Sequence, residues 1–170
     1  MLPKSYVVFK WAVYAAATLL LCALQSMALN QIHALGLTPF LYPMLPALVA
    51  MFEGPRRGAV FALVFGLACG LLVPAPFPGF FVLIFPVIAI VSAWVAERLL
   101  SKGLLCALIV AALAMLLTGG LRLVVQILSG GRYLRLMARM VVGEGLLTLP
   151  ALLAALPLYR AIYRRCAADY

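Results

Sequence analysis

The chain has 170 residues, of which 68% are hydrophobic and 10% charged, with a mean hydropathy of +1.20. A soluble domain carries roughly 25% charged residues, so this composition excludes an ordinary water-soluble globule and leaves one integral membrane domain, residues 1–170. The net charge of +9 comes from 13 Lys and Arg against 4 Asp and Glu. These charges sit between apolar runs, which points to orientation in a membrane and not to nucleic acid.

Residues 11–52, 58–96, 103–121 and 145–159 carry no Asp, Glu, Lys or Arg. One crossing takes about 20 apolar residues, so the two longer runs hold two crossings each and the two shorter ones hold one each. The prediction is an all-α, polytopic bundle of six transmembrane helices over 7–29, 39–52, 58–73, 79–97, 103–128 and 139–160. The first run breaks at the polar turn marked by Asn30, His33, Gly36 and Pro39. The second breaks at VPAPFPG (Val73 to Gly79), whose prolines remove backbone donors and fix φ. The second helix is short and carries Pro43 and Pro46, so it is expected to be kinked or tilted inside the bundle. The first apolar run is too long for a removable signal peptide and shows no clear small-x-small cleavage site, so it is expected to stay in the protein.

With the N-terminus in the cytoplasm, Lys4, Lys10, Arg56, Arg57, Arg98, Lys102, Arg160, Arg164 and Arg165 fall inside, and Arg122, Arg132, Arg135 and Arg139 fall outside. That bias predicts both termini in the cytoplasm of a multi-pass protein. Trp11, Trp94, Tyr159 and Tyr163 lie near the inner ends of the spans, where aromatic belts form.

Small residues recur at every fourth position of the third helix: Gly58, Ala62, Gly66 and Gly70. That spacing predicts one helical face for close packing, because helices in lipid associate through close backbone approach. Arg132, Arg135 and Arg139 follow the Ser129-Gly130-Gly131 turn at helical spacing and predict a basic face towards headgroups. Glu144 is the one carboxylate near the bilayer interior. A charge there needs compensation, and Arg122 is its expected partner, locking the last two helices together. Glu53 and Glu97 lie in turns beside arginines, and no special role is expected of them.

Cys22, Cys69 and Cys106 fall inside apolar runs and are expected to be packing residues, with Cys166 a juxtamembrane thiol. No CxxC pair, paired-carboxylate site, Ser/His/Asp set or phosphate-binding glycine loop occurs, and His33 has no acid or cysteine beside it. No enzyme, metal or cofactor is expected.

Two stretches carry a resemblance. The first is Glu53-Gly54-Pro55-Arg56-Arg57-Gly58 leading into Phe65-Gly66-Leu67-Ala68-Cys69-Gly70-Leu71-Leu72. The second is Gly143-Glu144-Gly145-Leu146-Leu147-Thr148-Leu149-Pro150 with Ala155-Leu156-Pro157-Leu158-Tyr159. The chain resembles the MreD family, small membrane components of the bacterial cell-elongation machinery. Val73 and Pro74 stand where the family often has an acid, and Thr148 where it often has Asn. The resemblance implies a non-enzymatic scaffold of the rod-shape complex in the bacterial cytoplasmic membrane. Its partner would be MreC, with MreB, RodA and a class B penicillin-binding transpeptidase reached indirectly, and its role would be to support peptidoglycan synthesis and cell shape. The architecture is also similar to the substrate-binding S component of energy-coupling-factor vitamin transporters. Under that alternative Ala12 and Ala16 would form the alanine pair that docks the coupling subunit.

Overall fold

The computed structural model describes residues 4–27, 39–98, 103–130 and 134–167. His33, Lys102 and Arg132 lie outside the described residues, as do the side chains of Lys4 and Cys166. The described residues form six helices: α1 (Lys4–Met27), α2 (Met44–Glu53), α3 (Pro55–Leu72), α4 (Phe80–Arg98), α5 (Leu104–Leu128) and α6 (Leu134–Ala167). Four of them, α1, α3, α4 and α5, are long and apolar enough to cross a membrane. The two arms of α6, Met137–Thr148 and Pro150–Arg165, meet at 49° and together make a fifth candidate span.

The second expected span, 39–52, is not a full helical crossing. Helix α2 has 10 residues, about 15 Å at 1.5 Å per residue, roughly half the hydrocarbon thickness. Every residue from Met44 to Phe52 is buried. A helix apolar on all sides needs protein on all sides, and α2 is enclosed by α3, α4, α5 and α6. The chain enters it through an irregular lead-in at Pro39 to Leu41 and a turn at Tyr42–Pro43. Lead-in and helix together cover the distance between the two ends of the bundle.

At the end of α2 the chain reverses at Gly54, whose φ of 86° and ψ of 175° belong to a region essentially confined to glycine. Pro55 follows as the first residue of α3, where a missing N–H costs nothing. Helices α3 and α4 then form the most extensive helix contact. A ladder of rings ties them: Phe61–Phe65 at 6.3 Å, Phe65–Phe85 at 5.6 Å and Phe81–Phe85 at 5.2 Å. Offset aromatic pairs at such distances each add to plain area burial.

The bend in α6 has two visible causes. Pro150 cannot donate to the preceding turn, and its ring crowds that turn. Thr148 Oγ1 donates back to the Glu144 carbonyl at 2.5 Å and accepts from the Phe40 N–H at 3.1 Å, which pulls the helix towards the lead-in of α2.

The start of α1, the end of α2 and the end of α6 lie at one end of the bundle. Lys10 reaches Glu53 there, and Phe52 stacks on Tyr163 at 5.3 Å. The C-terminal end of α5 and the first turns of α6 lie at the opposite end. Reporter fusions at the end of α6, after Ala167, and at Ser129 are therefore expected to report opposite sides of the membrane. The same side for both would be incompatible with this path. The outward surface between the two ends is apolar, with Leu19, Val60, Leu71, Leu83, Leu105, Leu116 and Leu146 all exposed. Contiguous apolar surface on this scale fits a lipid surround.

Candidate functional site

Two charge pairs sit at opposite ends of the bundle. At the first, Lys10 Nζ of α1 lies 2.7 Å from both carboxylate oxygens of Glu53, and the Tyr14 hydroxyl donates to Glu53 Oε1 at 3.0 Å. The Lys10 and Glu53 side chains are 10% and 2% exposed. One turn further along α1, the Thr18 hydroxyl meets the Tyr159 hydroxyl at 2.8 Å, and the Tyr14 and Tyr159 rings stack at 6.0 Å. A connected polar strip thus joins α1, α2 and α6 inside an apolar bundle. Glu53, expected to be an unremarkable turn residue, is instead the deepest carboxylate among the described residues. The signal was available: Lys10 and Glu53 bound the same uncharged run, so a chain that crosses and returns brings them to one level.

At the second end, Arg122 Nη1 of α5 lies 3.7 Å from Glu144 Oε2 of α6, with side chains 24% and 26% exposed. The Arg122 guanidinium also stacks over the Phe40 ring at 4.2 Å, which ties α5 to the lead-in of α2. Nearby, Gln25 of α1 donates to the Pro39 carbonyl and accepts from the Leu41 N–H. Arg122→Gln and Glu144→Gln are each expected to lower thermal stability in detergent. The double variant should lose less than the sum, with a coupling of about 1 kcal/mol, the low end for a pair left a quarter exposed. Strictly additive losses would mean no direct pair.

The small-residue face of α3 divides. A side chain at Gly58 would meet Ala50 Cα and Cβ at 2.5 Å, and one at Gly66 would meet the Phe81 carbonyl oxygen at 2.6 Å. Ala62 is fully buried between them. These three positions hold α3 against α2 and α4 at backbone contact. Gly70 does not belong with them: it is exposed, and a Cβ there meets nothing within 4 Å. A spacing of four overshoots the 3.6-residue turn by about 40° at each step, so the face drifts and its last member rotates outward. Another close approach was missed: a Cβ on Gly119 of α5 would collide with Val141 Cγ1 of α6.

Ala12 and Ala16 are exposed on α1, whose buried face is Lys10, Tyr14, Thr18, Leu21 and Gln25. Arg135 and Arg139 are exposed on the first arm of α6. Cys69 and Cys106 are buried and Cys22 is half-buried. Among the described residues no three His, Cys, Asp or Glu side chains gather as a metal-binding group.

Several open spaces remain among the described residues, one of them a shallow one of about 440 Å³ at the Gly70–Gly79 turn. A groove of about 550 Å³ runs between α1 and α3, lined by Trp11, Ala15, Arg56, Arg57, Val60, Phe61 and Val64. A polar cavity of about 340 Å³ lies between α5 and α6 under the Pro74–Pro76 turn, and Arg122, Gln126 and Glu144 line it. An apolar groove of about 300 Å³ lies between the same two helices, deeper in the bundle. Comparison with family profiles, with curated proteins and with solved structures finds no match to this chain.

Proposed function

We propose that this chain is a non-enzymatic membrane scaffold of the MreD type. It would bind an MreC-type membrane protein in the bacterial cytoplasmic membrane, and through it serve MreB, RodA and a class B penicillin-binding transpeptidase. The observation that supports a docking role most is the open groove between α1 and α3. Its floor is the Trp11–Phe61 stack at 6.0 Å, its walls are apolar, and Ala15 leaves room for a second backbone. Arg56 and Arg57 close its end at the Lys10–Glu53 side, where they can meet an acidic residue flanking a partner's span. Both termini would then be cytoplasmic, since Lys10, Arg56, Arg57, Arg98, Arg160, Arg164 and Arg165 share that end.

A photo-crosslinking residue at Ala15 or Val64 is expected to capture the single-span partner when the two are coexpressed. The same residue at Leu83, exposed on α4, serves as the negative position. Capture at Leu83 alone would move the docking face, and no co-purification of the two proteins would remove the scaffold reading.

One observation favours the transport alternative, an S component that binds a vitamin. The cavity under the Pro74–Pro76 turn holds Arg122, Gln126 and Glu144, a polar set of the kind small-ligand sites use. A vitamin retained at one copy per chain through purification, read by native mass spectrometry, would reverse the order of the two readings.

A further inference from the structure

The polar cavity and the apolar groove are the two ends of one open-sided slot between α5 and α6, pinched between them where Val141 packs on Gly119. They share Val141, and they are stacked along the same two helices. On α5 the groove is lined around Leu116 and the cavity around Arg122, about 9 Å further along the axis at 1.5 Å per residue. On α6 the cavity takes Met137 to Glu144 and the groove Val141 to Leu152, so the two follow the same order but overlap for about one turn. The slot is therefore charged at its outer mouth and apolar below, and its side is open to the bundle's exterior.

The mouth has unspent hydrogen-bonding capacity. At 3.7 Å the Arg122–Glu144 pair is too long for a hydrogen bond, and among the described residues neither side chain makes one. Arg122 spends one face on Phe40, which leaves its edge donors for a ligand. Glu144 is an acceptor only, and Pro74 and Pro76 beside it have no N–H. One cation with a carboxamide at Gln126 and one carboxylate is a neutral set split into two poles. A purely anionic headgroup would face the Glu144 carboxylate at close range.

We propose that this slot binds a zwitterionic aminophospholipid. Its phosphate takes Arg122 and Gln126, its ammonium takes Glu144, and one acyl chain lies in the groove past Leu116 and Gly145. This goes beyond the scaffold reading and stands whether or not a partner docks at α1 and α3.

The test is native mass spectrometry of the full chain in mild detergent, titrated with 1-palmitoyl-2-oleoyl phosphatidylethanolamine or its phosphatidylglycerol counterpart. The ethanolamine lipid is expected to be retained about tenfold better, the size of one charge-assisted hydrogen bond. Glu144→Gln should erase that preference, and Arg122→Gln should weaken both lipids. Gly145→Leu is the control for folding: a Cβ at Gly145 meets nothing within 4 Å and Gly145 lines the groove, so the new side chain is directed into open space there. It should abolish lipid retention while thermal stability stays at the wild-type value. Equal or better retention of the glycerol lipid overturns the proposal. So does undiminished ethanolamine-lipid binding by Gly145→Leu, and so does displacement of the lipid by free phosphoethanolamine, which would mark a soluble ligand.

Discussion

Glu53→Ala is expected to destabilise the bundle by about 3–5 kcal/mol, because it leaves the Lys10 ammonium buried without its counter-charge. Lys10 would keep one side chain's worth of desolvation and lose both of its 2.7 Å contacts, and the Tyr14 hydroxyl would lose its acceptor. Pairing Lys10→Met with Glu53→Gln should recover most of the loss. The charge is then gone, and the amide oxygen still accepts from Tyr14. The measurement is thermal unfolding in detergent together with abundance in membranes. The loss relative to wild type should change little with salt, since in the wild type the Glu53 side chain is 2% exposed and ions do not screen a buried pair well. A single-variant loss below about 0.5 kcal/mol, the range of ordinary surface changes, would mean that water reaches the pair.

Gly66→Leu should be the most damaging change on α3, and Gly70→Leu should be silent. At Gly66 even a Cβ would sit 2.6 Å from the Phe81 carbonyl oxygen and 3.2 Å from Val82 Cα. Backbone cannot rotate aside as a flexible side chain can. Helices α3 and α4 must separate, and the Phe65–Phe85 stack at 5.6 Å separates with them. Overpacking of this kind costs about 1–3 kcal/mol and more where neither neighbour can yield. At Gly70 the new side chain projects into open space. Equal abundance of both variants in membranes would mean that α3 and α4 are not in backbone contact.

Much of the helix plan was legible because charge is costly in lipid. Uncharged runs had to be membrane-length pieces, and VPAPFPG had to end a helix for want of backbone donors. The boundaries of α3 and α4 and the start of α5 follow closely from that, while α5 runs on through Arg122 to the Ser129-Gly130 turn. Helix α2 was legible as short and proline-bearing but not as a half-span. Its completeness depends on whether neighbours enclose it, and hydropathy is blind to that. The long α6 was harder still: the helix starts at Leu134 and runs to Ala167, beyond both ends of the expected 139–160, because Pro150 and Pro157 bend it without ending it.

The candidate site divides in the same way. Glu144 and Arg122 stand out in the chain because each interrupts apolar sequence, and any charge so placed needs a nearby opposite. Lys10 and Glu53 did not stand out, since each sits beside a turn or terminus where water was the natural assumption. Composition and charge spacing by themselves pointed to apolar, membrane-length helices and to Glu144 and Arg122 as residues that must find partners, because the penalty for a bare charge or an unpaired backbone in lipid is local. Only the tertiary structure decided that Glu53 is sealed by Lys10 and Tyr14, that Gly66 is in backbone contact while Gly70 is not, and that α5 and α6 leave a slot between them. Those outcomes depend on rotation about helix axes and on distances between residues far apart in the chain, and a repeat of small or apolar residues does not fix either one.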